Sequence, residues 1–148
     1  RFKLIMCGTG LCKSNTELMK LIKDNALDDN VILLGRRDDI PELLSSADLY
    51  LSSSIGESFS NSIGEAMACE LPCIVTNVGE SRFIVGDTGK IVCEKDPKSL
   101  YFAIIDFIGN NELGRLGKLA RERISSNFEI NNISKKYENV IFKLMDKE

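Results

Sequence analysis

Five short apolar runs recur along this chain, each of strand length and each followed by a stretch with helical spacing. They are FKLIMC (2–7), VILLG (31–35), DLYLSS (48–53), PCIVT (72–76) and KIVC (90–93). Turn signals separate them: Gly8-Thr9-Gly10 after the first, Gly35 closing the second, and Gly86-Asp87-Thr88-Gly89 before the fifth. Strands that alternate with helices over short loops pair in parallel, under helices on both faces, through right-handed crossovers. The expected fold class is α/β, a Rossmann-like doubly wound parallel sheet. Ligands of such sheets bind beyond the carboxyl ends of the strands, near helix N-termini. That directs attention to the loops after residues 7, 35, 53 and 76.

The helix signals are local. Ser14-Asn15-Thr16-Glu17 reads as a capping box with Ser14 as the cap, and Leu18, Leu21 and Ile22 form the inward stripe of the helix it opens. Asp38 or Asp39 caps a second, with Pro41 in its first turn and Leu43, Leu44 and Ala47 inward. A third runs from about Asn61 to Cys69, and ESRFIV gives a short fourth. Asp96-Pro97 caps and opens a fifth, with the stripe Leu100, Ala103, Ile104 and Phe107. Two more fill 111–126 and 130–146; the last is amphipathic and suits packing on its own sheet or on a further domain.

Composition excludes several chemistries. The chain has 148 residues, enough for one domain spanning 1–148. Net charge is −3 without a basic stripe, so no nucleic-acid partner is expected. There is no histidine, which removes Ser-His-Asp, Cys-His and His-ligated metal chemistry. The cysteine count is odd, at five, and the first residues lack the apolar core of a signal peptide. Reduced thiols in a cytoplasmic protein follow as the expectation. Cys7, Cys73 and Cys93 lie in strand-like runs and read as small core residues. Cys69 and Cys73 flank Pro72 and make a poor zinc pair.

Four readings of three loops compete. CGTGLCKS resembles a phosphate loop, but Cys7 and Cys12 stand where that loop needs glycines. Gly8 and Gly10 could let backbone approach a ligand, or could simply make a tight turn. The dinucleotide fingerprint fails at Lys13 and at Gly35-Arg36, where an acid is required. Gly35-Arg36-Arg37-Asp38-Asp39 reads equally as surface charge pairing or as part of a site.

The strongest stretch is GESFSNSIGEAMACELP (56–72). A helix N-terminus exposes unpaired N–H groups and the positive end of a dipole, which suits a phosphate. Asn61 and Ser62 in the first turn are small enough to admit one. Glu65 can accept from the two hydroxyls of a ribose, and Glu57 from those of a sugar. A phosphate between a ribose and a hexose describes a nucleotide sugar. The plainer alternative is a loop acid followed by a helix acid that compensates the dipole.

This stretch resembles the E-x7-E motif of the retaining GT-B glycosyltransferases of family 4, with Glu57, Phe59, Glu65, Ala66, Met67, Ala68 and Pro72 in register. FKLIMCGTG, VILLGRRDDIPELLSSADLYLSSS and GDTGKIVCEKDPKSLYFAI resemble flanking parts of the same family, so the resemblance covers nearly the whole chain. It implies the donor-binding, C-terminal half of a two-domain enzyme. Glu57 would be the catalytic carboxylate, holding the transferred sugar and stabilising oxocarbenium charge. Donor contacts would come from Gly8, Gly10, Gly35, Arg36, Ser58, Phe59, Ser60, Asn61, Ser62, Ile63 and Glu65. Ser58, Ser60 and Glu70 stand where the family has glycines, and Phe83 where it has an acid.

The resemblance implies transfer of a hexose or N-acetylhexosamine from a nucleotide diphosphate, UDP by expectation, to a glycan or lipid-linked glycan. The pathway implied is bacterial surface polysaccharide or O-antigen synthesis. No cofactor is expected, and with no Asp-x-Asp no metal is indicated. The family's diphosphate-binding Arg and Lys and its acceptor domain fall before residue 1. The chain is therefore expected to be a fragment that binds donor weakly without turnover. The full-length protein would be cytoplasmic, with room for peripheral association at the inner face of the plasma membrane. The rival expectations are a non-catalytic Rossmann-like binding module, a sugar-nucleotide epimerase and a glycogen-synthase-like polymerase.

Overall fold

The computed structural model describes residues 2–109 and 112–145, which fall into two compact units divided between Ile40 and Pro41. Every strand pairing in it is parallel.

In the first unit, β1 (Leu4–Cys7) pairs with β2 (Val31–Gly35), and α1 (Thr16–Asp24) connects them. The register slips between Met6 and Cys7, so that Cys7 lies opposite Gly35. The cap of α1 is Asn15, not Ser14: the Asn15 side chain accepts from the Leu18 N–H at 3.0 Å. Ser14 instead lies 3.0 Å from the Cys12 thiol. The inward stripe is corrected too. Ile22 is buried and Leu18 and Met19 are half-buried, whereas Leu21 is 61% exposed. With Thr16 opening the helix, Leu18 and Ile22 stack four apart on one face and Leu21 falls to its flank.

In the second unit the sheet order is β3 (Tyr50–Ser52), β4 (Cys73–Thr76), β5 (Lys90–Val92). β4 lies in the middle, and all four of its residues are buried. Cys73 and Val75 face one side and pack with α3 (Asn61–Ala68), α4 (Ser81–Val85) and Ala120 of α6 (Leu113–Phe128). Ile74 faces the other and packs with Val92 and with Ala103 and Phe107 of α5 (Pro97–Gly109). Continuous burial on both faces is the mark of a strand between two helical layers, as the doubly wound reading requires. α2 (Ile40–Ser45) starts at the junction of the units and contributes Leu44 to the first of these clusters. α7 (Ile130–Met145) follows α6 and has no buried residue.

β2 matches its predicted run, and the other four strands fall within theirs, trimmed at their ends. Pro72 has no N–H to join the ladder, but its carbonyl accepts from Tyr50, where β3 begins. β5 stops at Val92, the last residue paired with β4, so Cys93 is exposed and not a core residue. Asp96 and Pro97 open α5 as expected: the Asp96 carboxylate accepts from the Lys98 and Ser99 N–H groups, both at 3.1 Å. Among the described residues no helix is long and apolar enough to cross a membrane.

Candidate functional site: the α3 helix and its loop

α3 is finished differently at its two ends. At the C-terminus the Glu70 N–H donates to the Met67 carbonyl and the Leu71 N–H to the Ala66 carbonyl. That pair of bonds is a Schellman motif. It requires a left-handed residue, and Glu70 supplies it with φ +60° where a glycine is usual. Arg121 of α6 donates to the Ala68 carbonyl at 2.9 Å. α6 approaches so closely here that a Cβ on Gly117 would lie 2.0 Å from the Glu70 carbonyl oxygen. At the N-terminus, by contrast, Ser60 occupies the cap position and makes no capping bond.

The Ser60 hydroxyl is engaged elsewhere. The residue is 4% exposed, and its hydroxyl lies 3.0 Å from the Ser62 hydroxyl. Ser62 in turn accepts from the Tyr50 phenol at 2.9 Å. Burial pushes the Tyr50 phenol above its ordinary pKa. The Ser62 bond pulls it down, and the charges of Glu65 and Glu57 add to the upward push. Both motif carboxylates therefore lie within electrostatic reach of one phenol, although eight positions separate them in sequence. Both are exposed.

The loop carrying Glu57 and Ser58 is pinned by its backbone. Thr76, at the end of β4, donates to the Ser54 carbonyl at 2.6 Å. The Glu80 N–H donates to the Ser58 carbonyl at 2.9 Å. Gly79 sits directly against the loop: a Cβ there would lie 2.3 Å from the Glu57 carbonyl oxygen and 2.5 Å from that of Ser58. Its φ of +50° independently calls for glycine. Phe59 packs on Phe128 of α6, with ring centroids 5.9 Å apart, and Phe128 meets Phe83 of α4 edge-on at 5.6 Å. Arg123 of α6 donates to the Phe83 and Ile84 carbonyls at 2.6 and 2.8 Å, closing the end of α4. The Phe59 ring thus serves as an anchor on α6, while the main chain runs on to Ser60, Asn61, Ser62 and buried Ile63.

The predicted residues of the first unit also gather, by hydrogen bonds of their own. The Gly8 N–H donates to the Gly35 carbonyl and the Gly35 N–H to the Leu11 carbonyl, both at 2.8 Å. Gly8, Gly10 and Gly35 all have positive φ. Arg36 is exposed. Its neighbour Arg37 forks onto both carboxylate oxygens of Asp39, the Nε bond measuring 2.7 Å. That bond holds the Asp39 carboxyl below its usual pKa and the guanidinium above its own.

Sequence reasoning missed Tyr50, Gly79, Asn15 and Phe128. Gly79 had a local signal, a glycine in the turn after a strand, and Asn15 stood inside the predicted capping box. Tyr50 and Phe128 had none, because their partners are distant in sequence.

Comparison with known proteins agrees with this architecture. Residues 1–110 match the family described as Glycosyl transferases group 1. The chain is 34% identical over 146 residues to the N-acetyl-alpha-D-glucosaminyl L-malate synthase of Bacillus anthracis, covering 97% of this chain and 38% of that protein. It is 31% identical over 121 residues to the UDP-Gal:alpha-D-GlcNAc-diphosphoundecaprenol alpha-1,3-galactosyltransferase of Escherichia coli, covering 77% and 31%. The chain thus spans about a third of the length of these relatives. Among solved structures, the sucrose-phosphate synthase of Thermosynechococcus elongatus superposes with a TM-score of 0.84 at 26% identity, over 99% of this chain and 39% of that one. Anabaena HepE in complex with UDP gives 0.84 at 23%, over 96% and 41%. The chain belongs to the glycosyl transferases group 1 family and has the fold of the C-terminal domain of a GT-B glycosyltransferase.

Proposed function

We propose that this chain is the donor-binding part of a retaining glycosyltransferase that moves a hexose or N-acetylhexosamine from a nucleotide diphosphate. The carrying observation is the asymmetry of α3: a fully bonded C-terminus, and an N-terminus left without a cap beside two exposed carboxylates. A diphosphate would lie against the N–H groups of Asn61, Ser62 and Ile63, where the helix dipole favours negative charge. Glu65, one turn on, would accept from the ribose hydroxyls. Glu57 would hold the transferred sugar and stabilise positive charge developing at its anomeric carbon. The acceptor would attack from the face the phosphate leaves, with that phosphate taking its proton. The main chain of Ser58, Phe59 and Ser60 would line the sugar. Gly8, Gly10, Gly35 and Arg36 are proposed as backbone contacts to the donor. No metal is assigned to the reaction.

UDP is the proposed carrier, supported by HepE, whose structure holds UDP, and by the Escherichia coli relative, whose name specifies UDP-Gal. The name of that relative specifies a diphosphoundecaprenol-linked sugar, which supports a lipid-linked glycan acceptor. A role in surface polysaccharide synthesis, O-antigen included, at the inner face of the membrane is proposed with it. The Bacillus anthracis relative supports a second acceptor class, since its name specifies L-malate.

The test is a titration of the protein with UDP, GDP, ADP and their sugar conjugates, beside Glu65→Ala. Saturable binding of one base is expected. The substitution should weaken it by roughly 1.5–3 kcal/mol, the loss of a charged hydrogen bond. Unchanged affinity would end the ribose assignment.

A further inference from the structure

The geometry points to Tyr50 as a positioning residue of the donor site: its phenol, through Ser62, holds the Ser60 hydroxyl away from the N-terminus of α3 and so keeps the first-turn N–H groups open to the donor diphosphate. This rests on the donor-site reading above and adds to it the device that maintains the opening.

Serine is among the best N-cap residues because its hydroxyl oxygen accepts from the N–H two or three positions on. Here those donors are Ser62 and Ile63. Ser60 is at the cap with extended backbone, φ −87° and ψ 104°, as a cap requires, and yet makes no such bond. An uncapped serine in that conformation needs a competing partner, and the Ser62 hydroxyl at 3.0 Å is that partner. Ser62 is held in turn by Tyr50 at 2.9 Å. The proton order follows from the chemistry of the three groups. The Tyr50 phenol donates to the Ser62 oxygen, which leaves the Ser62 proton to be donated to the Ser60 oxygen 3.0 Å away. The Ser60 oxygen thereby accepts from a hydroxyl in place of an amide. Such chains reinforce one another along their length. Among the described residues the phenol bonds only Ser62, and its ring packs against the core cluster of β4 and α3, which phenylalanine would keep.

The experiment compares the full-length protein with its Tyr50→Phe, Ser60→Ala and Tyr50→Phe/Ser60→Ala variants. Thermal melting controls for folding, and UDP is the probe. Tyr50→Phe should weaken UDP binding roughly three- to tenfold, about the equilibrium weight of one N-cap bond now closing the helix. In that background Ser60→Ala, which keeps the main chain that would line the sugar, should recover a large part of the UDP affinity lost in Tyr50→Phe, because nothing is left to cap with. Without nucleotide, the Ser62 and Ile63 amide resonances should move in Tyr50→Phe and not in the double variant. If the unaltered protein binds UDP and Tyr50→Phe binds equally well, the inference is wrong and the donor-site reading stands. A loss not rescued by Ser60→Ala, or amide resonances that do not move, also overturns it. If the unaltered protein binds no nucleotide diphosphate, the donor-site reading fails and takes the inference with it.

Discussion

The loop entering α1 and the loop entering α3 each follow the carboxyl end of a strand, yet only the first closes on itself. In the α1 loop, Asn15 makes two bonds at once: its oxygen caps the Leu18 N–H and its amide donates to the Gly10 carbonyl, each at 3.0 Å. Backbone bonds between Gly8, Leu11 and Gly35 complete the closure. In the α3 loop the corresponding serine is turned away from its helix, and the restraints come from outside the loop, through Thr76, Gly79, Glu80 and Phe128. The glycine-rich loop, whose spelling resembles a phosphate site, thus spends the Gly8 and Gly35 N–H groups and the Gly10 carbonyl on bonds within the protein. The serine-rich loop, with no such spelling, presents open amides. Where bonding groups are left over says more about a ligand than where glycines are dense.

The comparison can be broken at several points, and the largest effect is expected at Gly79. Gly79→Ala would drive a methyl group into the Glu57 and Ser58 carbonyls and force a left-handed alanine. Strain and overpacking together should cost roughly 2–4 kcal/mol in chemical denaturation and displace the α3 loop. A variant as stable as the parent would show that the loop is not pinned there. Asn15→Ala removes a cap and a loop bond from α1 and should cost about 1–2 kcal/mol. Hydrogen exchange at the Leu18 amide reads this directly, and unchanged protection would mean that the α1 loop is closed by its backbone alone. The smallest effect runs the other way. Glu70→Gly relieves a left-handed residue in the Schellman turn, and should raise stability by about 0.5–1 kcal/mol after the added chain entropy of glycine. It also gives up a contact to Arg121, at 3.9 Å and largely exposed, which is worth little. A lowered melting temperature would mean that this ion pair matters more than the backbone.

Much of the fold was legible because its signals are local. β4 could be read from an unbroken apolar run, and α5 from Asp96-Pro97 followed by a four-residue stripe. The strand ends were not legible, since pairing sets them: β3 begins where Tyr50 meets the Pro72 carbonyl, and β5 ends where Thr76 has its last partner. Within the site, Glu57 and Glu65 were readable from spacing and resemblance. The choice between Ser14 and Asn15 as cap was not, because both residues cap well and the Cys12 thiol decides it by engaging Ser14. Nor could Tyr50 be found from sequence alone, twelve positions from the hydroxyl it holds.

The central position of β4 has a consequence for how the chain tolerates change. Cys73, Ile74 and Val75 answer alternately to two different helical layers, Thr76 is bonded to the Ser54 carbonyl, and both edges of the strand are taken by other strands. No substitution there can be absorbed by tilting toward solvent, as one on α7 can, where none of the described residues is buried. In a library of random variants selected for folding, positions 73–76 should be the most depleted of diversity and the exposed face of 130–145 the richest. The record of such a library would trace the two layers of the fold without any coordinates.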